Sequence, residues 1–357
     1  MRDHPSNSGA ATLSRRELLA LGGAAGLPGL SLLGGQAAAQ SGELVVSNWG
    51  GDWNDRTVRA IEAPLVESRG IKIVRMLNLE PERKAKLLAE RNLPRGSIDV
   101  AHFSAGDAFE LHEQDVLETL DAGKIPNLAH VRAGLKTPYF LPWVFGAVTL
   151  AYNPKYVKEP PTSFADLWDP KYAGRVGVLD QSYYNWIYMA ALVSGGRMNS
   201  VDPGFAKLAE MKHAIKPRLY PTHQHLAAGF SNEEVWISAN YSARIAQWAK
   251  SGVPVRSAYP KEGAVTIVFG ATIPKRARNK DAAYVYLNAL LDPKGIGEYA
   301  VASMYAPSTT NAVVPDDVRA QIDFTAAQTQ TLNNPDYGYQ AKNLARWQEW
   351  WNKEFKA

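Results

Sequence analysis

The chain has 357 residues, a formal net charge of +4 and no cysteine. The missing thiols exclude a disulfide framework, a thiolate metal site, a cysteine nucleophile and a lipid-modified cysteine at a cleavage site. So near-neutral a balance gives no electrostatic footprint for nucleic acid. The length exceeds what one hydrophobic core usually organises, so two domains are expected.

The first segment reads as an address. Arg15-Arg16 follow Ser14, an apolar run rich in Gly, Ala and Leu reaches Leu33, and Ala37-Ala38-Ala39 end it on small residues. That order is the pattern of a cleaved secretory leader over residues 1–39, and the paired arginines favour the twin-arginine route. A membrane anchor needs about 20 strongly apolar residues, whereas Gly22, Gly23, Gly26, Pro28 and Gly29 dilute this stretch. The rest is expected to lie free in a periplasm, with no stable membrane insertion after cleavage.

Leu44-Val45-Val46-Ser47 is the first expected strand, followed by a turn at Asn48-Trp49-Gly50-Gly51. Val58, Ile61, Leu65 and Val66 then share a helical face, and Gly70 closes that helix. A strand at 71–74, a helix at 81–92 and a strand at 98–101 complete an alternation that implies a parallel sheet covered by helices. Its crevice belongs at the carboxyl ends of the strands, where Trp49 and Ser104 fall. A second unit follows Asn153: a strand at 174–179, a helix at 183–194, a strand at 235–238, a helix through Ile245 and Trp248, and a strand at 265–268. A helix at 281–291 comes next. At the end, Leu344, Trp347, Trp351 and Phe355 form a stripe expected to dock on the core.

Several chain features carry possible chemistry. Trp49, Tyr183, Tyr184, Trp186 and Tyr241 fall on loops or element ends, where binding groups are usually placed. Stacked aromatics attract an ammonium, Asp180 just past a strand is a candidate partner for it, and the helix start after Trp49 favours an anionic end. His223-Gln224-His225 lacks acidic or thiol partners at ligand spacing and reads as a polar loop. No Gly-x-Ser-x-Gly elbow, phosphate-binding loop or His-Glu-x-x-His helix occurs, so no catalytic residue, metal or cofactor is expected.

In their order these landmarks resemble the extracellular solute-binding proteins of the spermidine/putrescine type. The resemblance rests on Asn48-Trp49-Gly50-Gly51, the run from Asp115 to Asp121 with Lys124-Ile125-Pro126-Asn127, and Gly146 to Asn153. It continues through Ser163-Phe164-Ala165-Asp166-Leu167-Trp168-Asp169-Pro170, Gly174-Arg175-Val176 and Pro260-Lys261-Glu262-Gly263. It implies the α/β fold of a type II periplasmic binding protein, with two lobes of mostly parallel sheet flanked by helices. Lobe 1 would comprise 40–150 plus 272–357, lobe 2 would be the inserted 151–271, and crossover strands would lie near 150–153 and 269–272. It further implies a monomeric binding component that hands a small amine-containing solute to an inner-membrane ABC permease, with no enzymatic activity. A ferric-ion binder shares the fold and is the alternative, for which only Tyr241 matches the usual tyrosine position.

Two positions depart from the polyamine pattern: Phe269 stands where an acid is usual, and Phe145 where a tryptophan is. Asn240-Tyr241-Ser242-Ala243-Arg244 resembles instead a sister branch whose ligands include small zwitterions. Arg244 suits a carboxylate, which it grips with two parallel hydrogen bonds. Tyr305 falls where the family presents its last cleft loop. The expected ligand set is therefore Trp49, Asp180, Tyr183, Trp186, Tyr241, Arg244, Phe269 and Tyr305.

Overall fold

The computed structural model describes residues 42–357. The expected leader and its twin-arginine signal lie outside the described residues.

The first half builds a parallel, three-stranded group. Strand β1 (Glu43–Asn48) is flanked by β2 (Lys72–Leu77) and β3 (Val100–Ser104), both parallel to it. β1 is buried on both faces from Leu44 to Asn48, which is why it reads as a continuous apolar run and not as an alternation. Helix α1 (Asp52–Thr57) continues through a wider turn at Val58–Val66, and α2 (Glu80–Glu90) and α3 (Ala105–Glu113) follow β2 and β3.

Strand β4 (Leu141–Tyr152) is twelve residues long and buried throughout. It leads to β5 (Val176–Leu179), α4 (Tyr183–Val193), α5 (Asp202–Ala214), β6 (Arg218–Tyr220), α6 (His223–Ser231), β7 (Ile237–Tyr241), α7 (Ser242–Lys250) and β8 (Arg256–Ala258). β5 is parallel to both β6 and β7, a second parallel group. Strand β9 (Val265–Thr272) returns, followed by α8 (Lys280–Leu290), α9 (Pro293–Ser303), β10 (Ala306–Pro307), α10 (Asp316–Ile322), α11 (Ala326–Gln330) and α12 (Tyr337–Trp350), the last extended by a wide turn to Phe355.

The two parallel groups are joined through β4 and β9, giving the order β2-β1-β3-β9-β4-β7-β5-β6. β9 pairs antiparallel with β3 over Phe269–Thr272 and with β4 from Val265 to Ala271, while β4 pairs with β7 from Val148 onward. The crossovers are thus paired strands, longer than the short segments that motif matching picked out.

One local expectation changes. His223 and His225 do not lie on an extended loop; they open α6, where the Thr222 hydroxyl accepts from the His225 N–H and caps the helix. The C-terminal stripe is buried at Trp347, Trp351 and Phe355, as its spacing predicts. Its helix packs on the second parallel unit, where the Tyr188 hydroxyl donates to Gln340 and Arg346 pairs with Asp202. α12 also packs on α3, so residues 337–355 touch elements of both halves.

Candidate functional site

At the carboxyl end of β1 the Asn48 Oδ1 accepts from the Trp49 N–H at 2.9 Å, turning the chain outward before Gly51, whose φ of 64° needs glycine. Trp49 is therefore held half-buried at the sheet end. Its ring meets Trp53 edge-on at 4.9 Å and Phe269 at 5.6 Å. Phe269, on β9, is the hub: Trp53, Tyr305 and Tyr241 lie at 5.5, 5.6 and 6.2 Å from it. Tyr305 follows α9 and reaches the same cluster beside Gly146, where a Cβ would sit 3.4 Å from its ring.

From the other parallel group, Tyr241 ends β7. Its hydroxyl lies 3.3 Å from Ser182 Oγ and 3.5 Å from the Tyr184 hydroxyl, and its ring is 5.0 Å from His223. Arg244 stands in the first turn of α7. It donates from Nη1 to Gln247 at 3.0 Å and sits 3.9 Å from Asp52 on α1, a loose contact across the two halves. Its Nε is buried and has no partner among the described residues. The start of α1 carries Asp52 and Asp55 in its first turn, so the expected anion-favouring helix end is already filled by the chain's own acids.

The sequence-expected residues divide cleanly. Trp49, Phe269, Tyr305, Tyr241 and Arg244 converge. Asp180 does not: Trp351 Nε1 and Lys356 Nζ each donate to its carboxylate at 2.7 Å, tying it to the C-terminal helix. Tyr183 faces the same helix, with its hydroxyl 3.4 Å from the Leu344 carbonyl and its ring 5.9 Å from Trp351. Trp186 is 1 % exposed inside α4 and packs in the core. Tyr184, its neighbour on the opposite side of the helix start, is the residue that meets Tyr241.

Sequence reasoning missed the polar groups behind Trp49. Arg83 is fully buried, with its guanidinium carbon 4.4 Å from the Trp49 ring centroid. The available signal was an arginine four residues before buried Leu87, on the apolar face of its helix. Glu80 accepts from both the N–H and the hydroxyl of Ser104 at 2.6 Å. Desolvation, with Asp107 adding like charge, pushes the Glu80 carboxyl up to about 8. The residue as a whole is only half-buried, but its carboxyl is tucked against Ser104.

Burial, assisted by Arg83, lowers His102 to about 3. Burial, assisted by Arg244, does the same to His223. Both imidazoles are neutral at ordinary pH. Among the described residues, no three His, Asp or Glu side chains gather as a metal site.

An aromatic cluster with one arginine beside it thus lies where two parallel sheet groups exchange strands. The model for the family described as bacterial extracellular solute-binding protein covers residues 65–326. The chain belongs to that family. The spermidine/putrescine-binding periplasmic protein 1 of Haemophilus influenzae is 28% identical over 276 residues, 73% of this chain and 74% of that one. A putrescine/cadaverine-binding protein of Pseudomonas aeruginosa is 25% identical over 328 residues, 83% and 88% of the two chains. The solved Atu4243 GABA receptor aligns with a TM-score of 0.77 at 22% identity, covering 88% of this chain and 98% of its own. The fold of this solute-binding protein is therefore the two-lobed type II arrangement, with β4 and β9 as its crossovers. The Haemophilus relative is named a periplasmic protein, and among the described residues no helix is long and apolar enough to cross a membrane.

Proposed function

We propose that the protein captures a small solute carrying both an ammonium and a carboxylate, and passes it to an inner-membrane ABC permease without chemical turnover. The observation that carries this reading is Arg244: a half-buried guanidinium at the start of α7, only loosely matched by Asp52 at 3.9 Å, with a buried Nε that lacks an acceptor among the described residues. A polyamine brings only positive charge and N–H donors, so it leaves that Nε unmatched and repels the guanidinium. A carboxylate satisfies both needs with paired hydrogen bonds. Phe269 at the hub adds no acid for a second amine.

The amine end goes to the Tyr241 side, where the hydroxyls of Tyr241, Tyr184 and Ser182 cluster within 3.5 Å and their oxygens accept. Polyamine-binding relatives support an amine, and the GABA receptor likeness supports an amine combined with a carboxylate. The ferric alternative requires phenolates, whereas burial holds the Tyr184 phenol well above its ordinary value. The reading includes export by the twin-arginine route, a monomeric state, and lobes divided near 150/151 and 271/272, with 337–355 riding across both. Closure on the ligand is a hinge motion stabilised by contacts to both lobes.

Calorimetric titration of wild type and Arg244→Ala with 4-aminobutyrate and 1,4-diaminobutane tests the ligand class. Losing a charge-assisted pair costs about 1.5–3 kcal/mol, so the variant is expected to bind the amino acid roughly 10- to 100-fold more weakly and the diamine no worse. Equal losses for both would make Arg244 structural and return the ligand class to the polyamines.

A further inference from the structure

The Trp49 indole has one face occupied by a buried cation of the chain itself. Arg83 is fully buried and clamped: its Nε donates to the His102 carbonyl at 2.6 Å, and its Nη1 to the Asn78 carbonyl and Oδ1 at 2.9 and 3.1 Å. Asn78 is tied in turn to the strand that presents Trp49, through the Asn48 carbonyl and the Ser47 hydroxyl. The guanidinium and the indole are thus fixed to one another. No carboxylate among the described residues lies within ion-pair distance of Arg83, and its buried Nη2 has no partner. The carboxyl groups that act on Arg83 from further away are each engaged elsewhere, Glu80 with Ser104, Glu82 with the Leu79 N–H and Asp107 with Lys84.

We infer that Arg83 is a specificity-determining residue: stacked under Trp49, it makes that wall of the cleft reject cations, and so excludes diamines while admitting a ligand whose single amine sits on the Tyr241 side. The inference rests on the amine-plus-carboxylate reading above and deepens it. An aromatic face attracts a cation because its π-cloud is negative. At Trp49 the 4.4 Å guanidinium already draws on that cloud from behind. A second cation reaching the other face meets a weakened quadrupole and a fixed positive charge across a thin, water-free ring. Methylene or carboxylate groups suffer neither effect. Glu80 strengthens the asymmetry, since desolvation beside Asp107 keeps it largely protonated at neutral pH and unable to offset Arg83.

The test compares wild type, Arg83→Met and Arg83→Lys, titrated with 4-aminobutyrate and with 1,4-diaminobutane. Methionine keeps the length and apolar stacking but not the charge; lysine keeps the charge. Arg83→Met is expected to shift the affinity ratio toward the diamine by about tenfold, with Arg83→Lys close to wild type. If wild type binds neither probe, a gain of diamine binding confined to Arg83→Met is the expected outcome. An unchanged ratio in Arg83→Met, no gain there, or an equal shift in Arg83→Lys would overturn the idea. A second readout needs no Arg83 variant to fold: quenching of the Trp49 emission, taken as wild type minus Trp49→Phe, by iodide and by caesium at matched ionic strength. With each quencher normalised to N-acetyltryptophanamide, a larger iodide-to-caesium ratio than for that free indole is expected, and an equal ratio overturns the charged-wall assignment. The Arg244→Ala titration fails or succeeds independently of all of these, so the two ideas fall separately.

Discussion

At the scale of single residues, charge state is set by burial in this cleft more than by pairing. His102 and His223 sit near 3 because burial, and then a neighbouring arginine, disfavours their protonated forms. His102 Nε2 lies 3.0 Å from the Tyr286 hydroxyl, which itself donates to Glu62. That chain assigns the hydrogen to Nε2 and fixes the ring behind Trp49. Glu80 moves the other way, to about 8 from an ordinary value of 4.5. Between those values the folded chain holds a proton that the unfolded chain has released. Its stabilising contribution is therefore full below pH 4.5 and lost as pH rises through 8. The histidines act oppositely: their neutral, buried forms stabilise above about 6.5, and that contribution is lost as pH falls toward 3. Taking wild type minus Glu80→Gln cancels the histidines. Melting temperature measured from pH 5 to 9 is expected to decline across this window in wild type relative to the variant. Parallel curves would show that Glu80 titrates normally.

At the scale of elements, α12 shows what a periodic pattern reveals and what it hides. Leu344, Trp347, Trp351 and Phe355 announce a buried face, because spacings of three and four place them on one stripe. Nothing in that stripe names the partner surface, and the structure divides the helix and its extension among α3, α4 and α5. Asp180 was hidden for the same reason. A carboxylate after a strand looks like a ligand group, and its capture by Trp351 and Lys356, more than 170 residues away in sequence, has no local signature. The assignment is testable at both ends of the contact. Trp351 is 1 % exposed, so Trp351→Ala is expected to cost about 3–5 kcal/mol through the cavity it leaves. Asp180→Ala removes a charged acceptor and is expected to cost about 1–2 kcal/mol, with ligand affinity held within about twofold. Urea melts and calorimetry on both variants decide it. A tenfold affinity loss in Asp180→Ala at unchanged stability would restore Asp180 to the ligand set.

At the scale of the whole molecule, the architecture was legible and the extent of its seam was not. Strand–helix alternation from Leu44 to Ala101 specifies a parallel group, since parallel neighbours require a covering crossover. The convergence of Trp49, Tyr241 and Arg244 followed from strand ends and from motif resemblance. The resemblance put the crossovers near 150–153 and 269–272, at the ends of β4 and β9; their full length escaped because both strands are largely buried and carry no alternation to mark where they change neighbours. Their pairing depends on one close approach. A Cβ at Gly270 would lie 1.9 Å from the Leu141 carbonyl oxygen and 2.7 Å from the Phe140 ring, where β9 pairs with β3 and β4 together. Backbone cannot yield there without parting one of the two pairings. Gly270→Ala is therefore expected to destabilise the fold by about 2–3 kcal/mol or more, at the upper end of overpacking costs. Because the displaced strand carries Phe269, ligand affinity should fall with it. Gly134→Ala, where an added Cβ meets nothing within 4 Å, is the matched control and is expected within about 0.5 kcal/mol of wild type. If the two alanine variants unfold at the same urea concentration, the β4–β9 seam tolerates a shift of its backbone and closure cannot depend on its exact register.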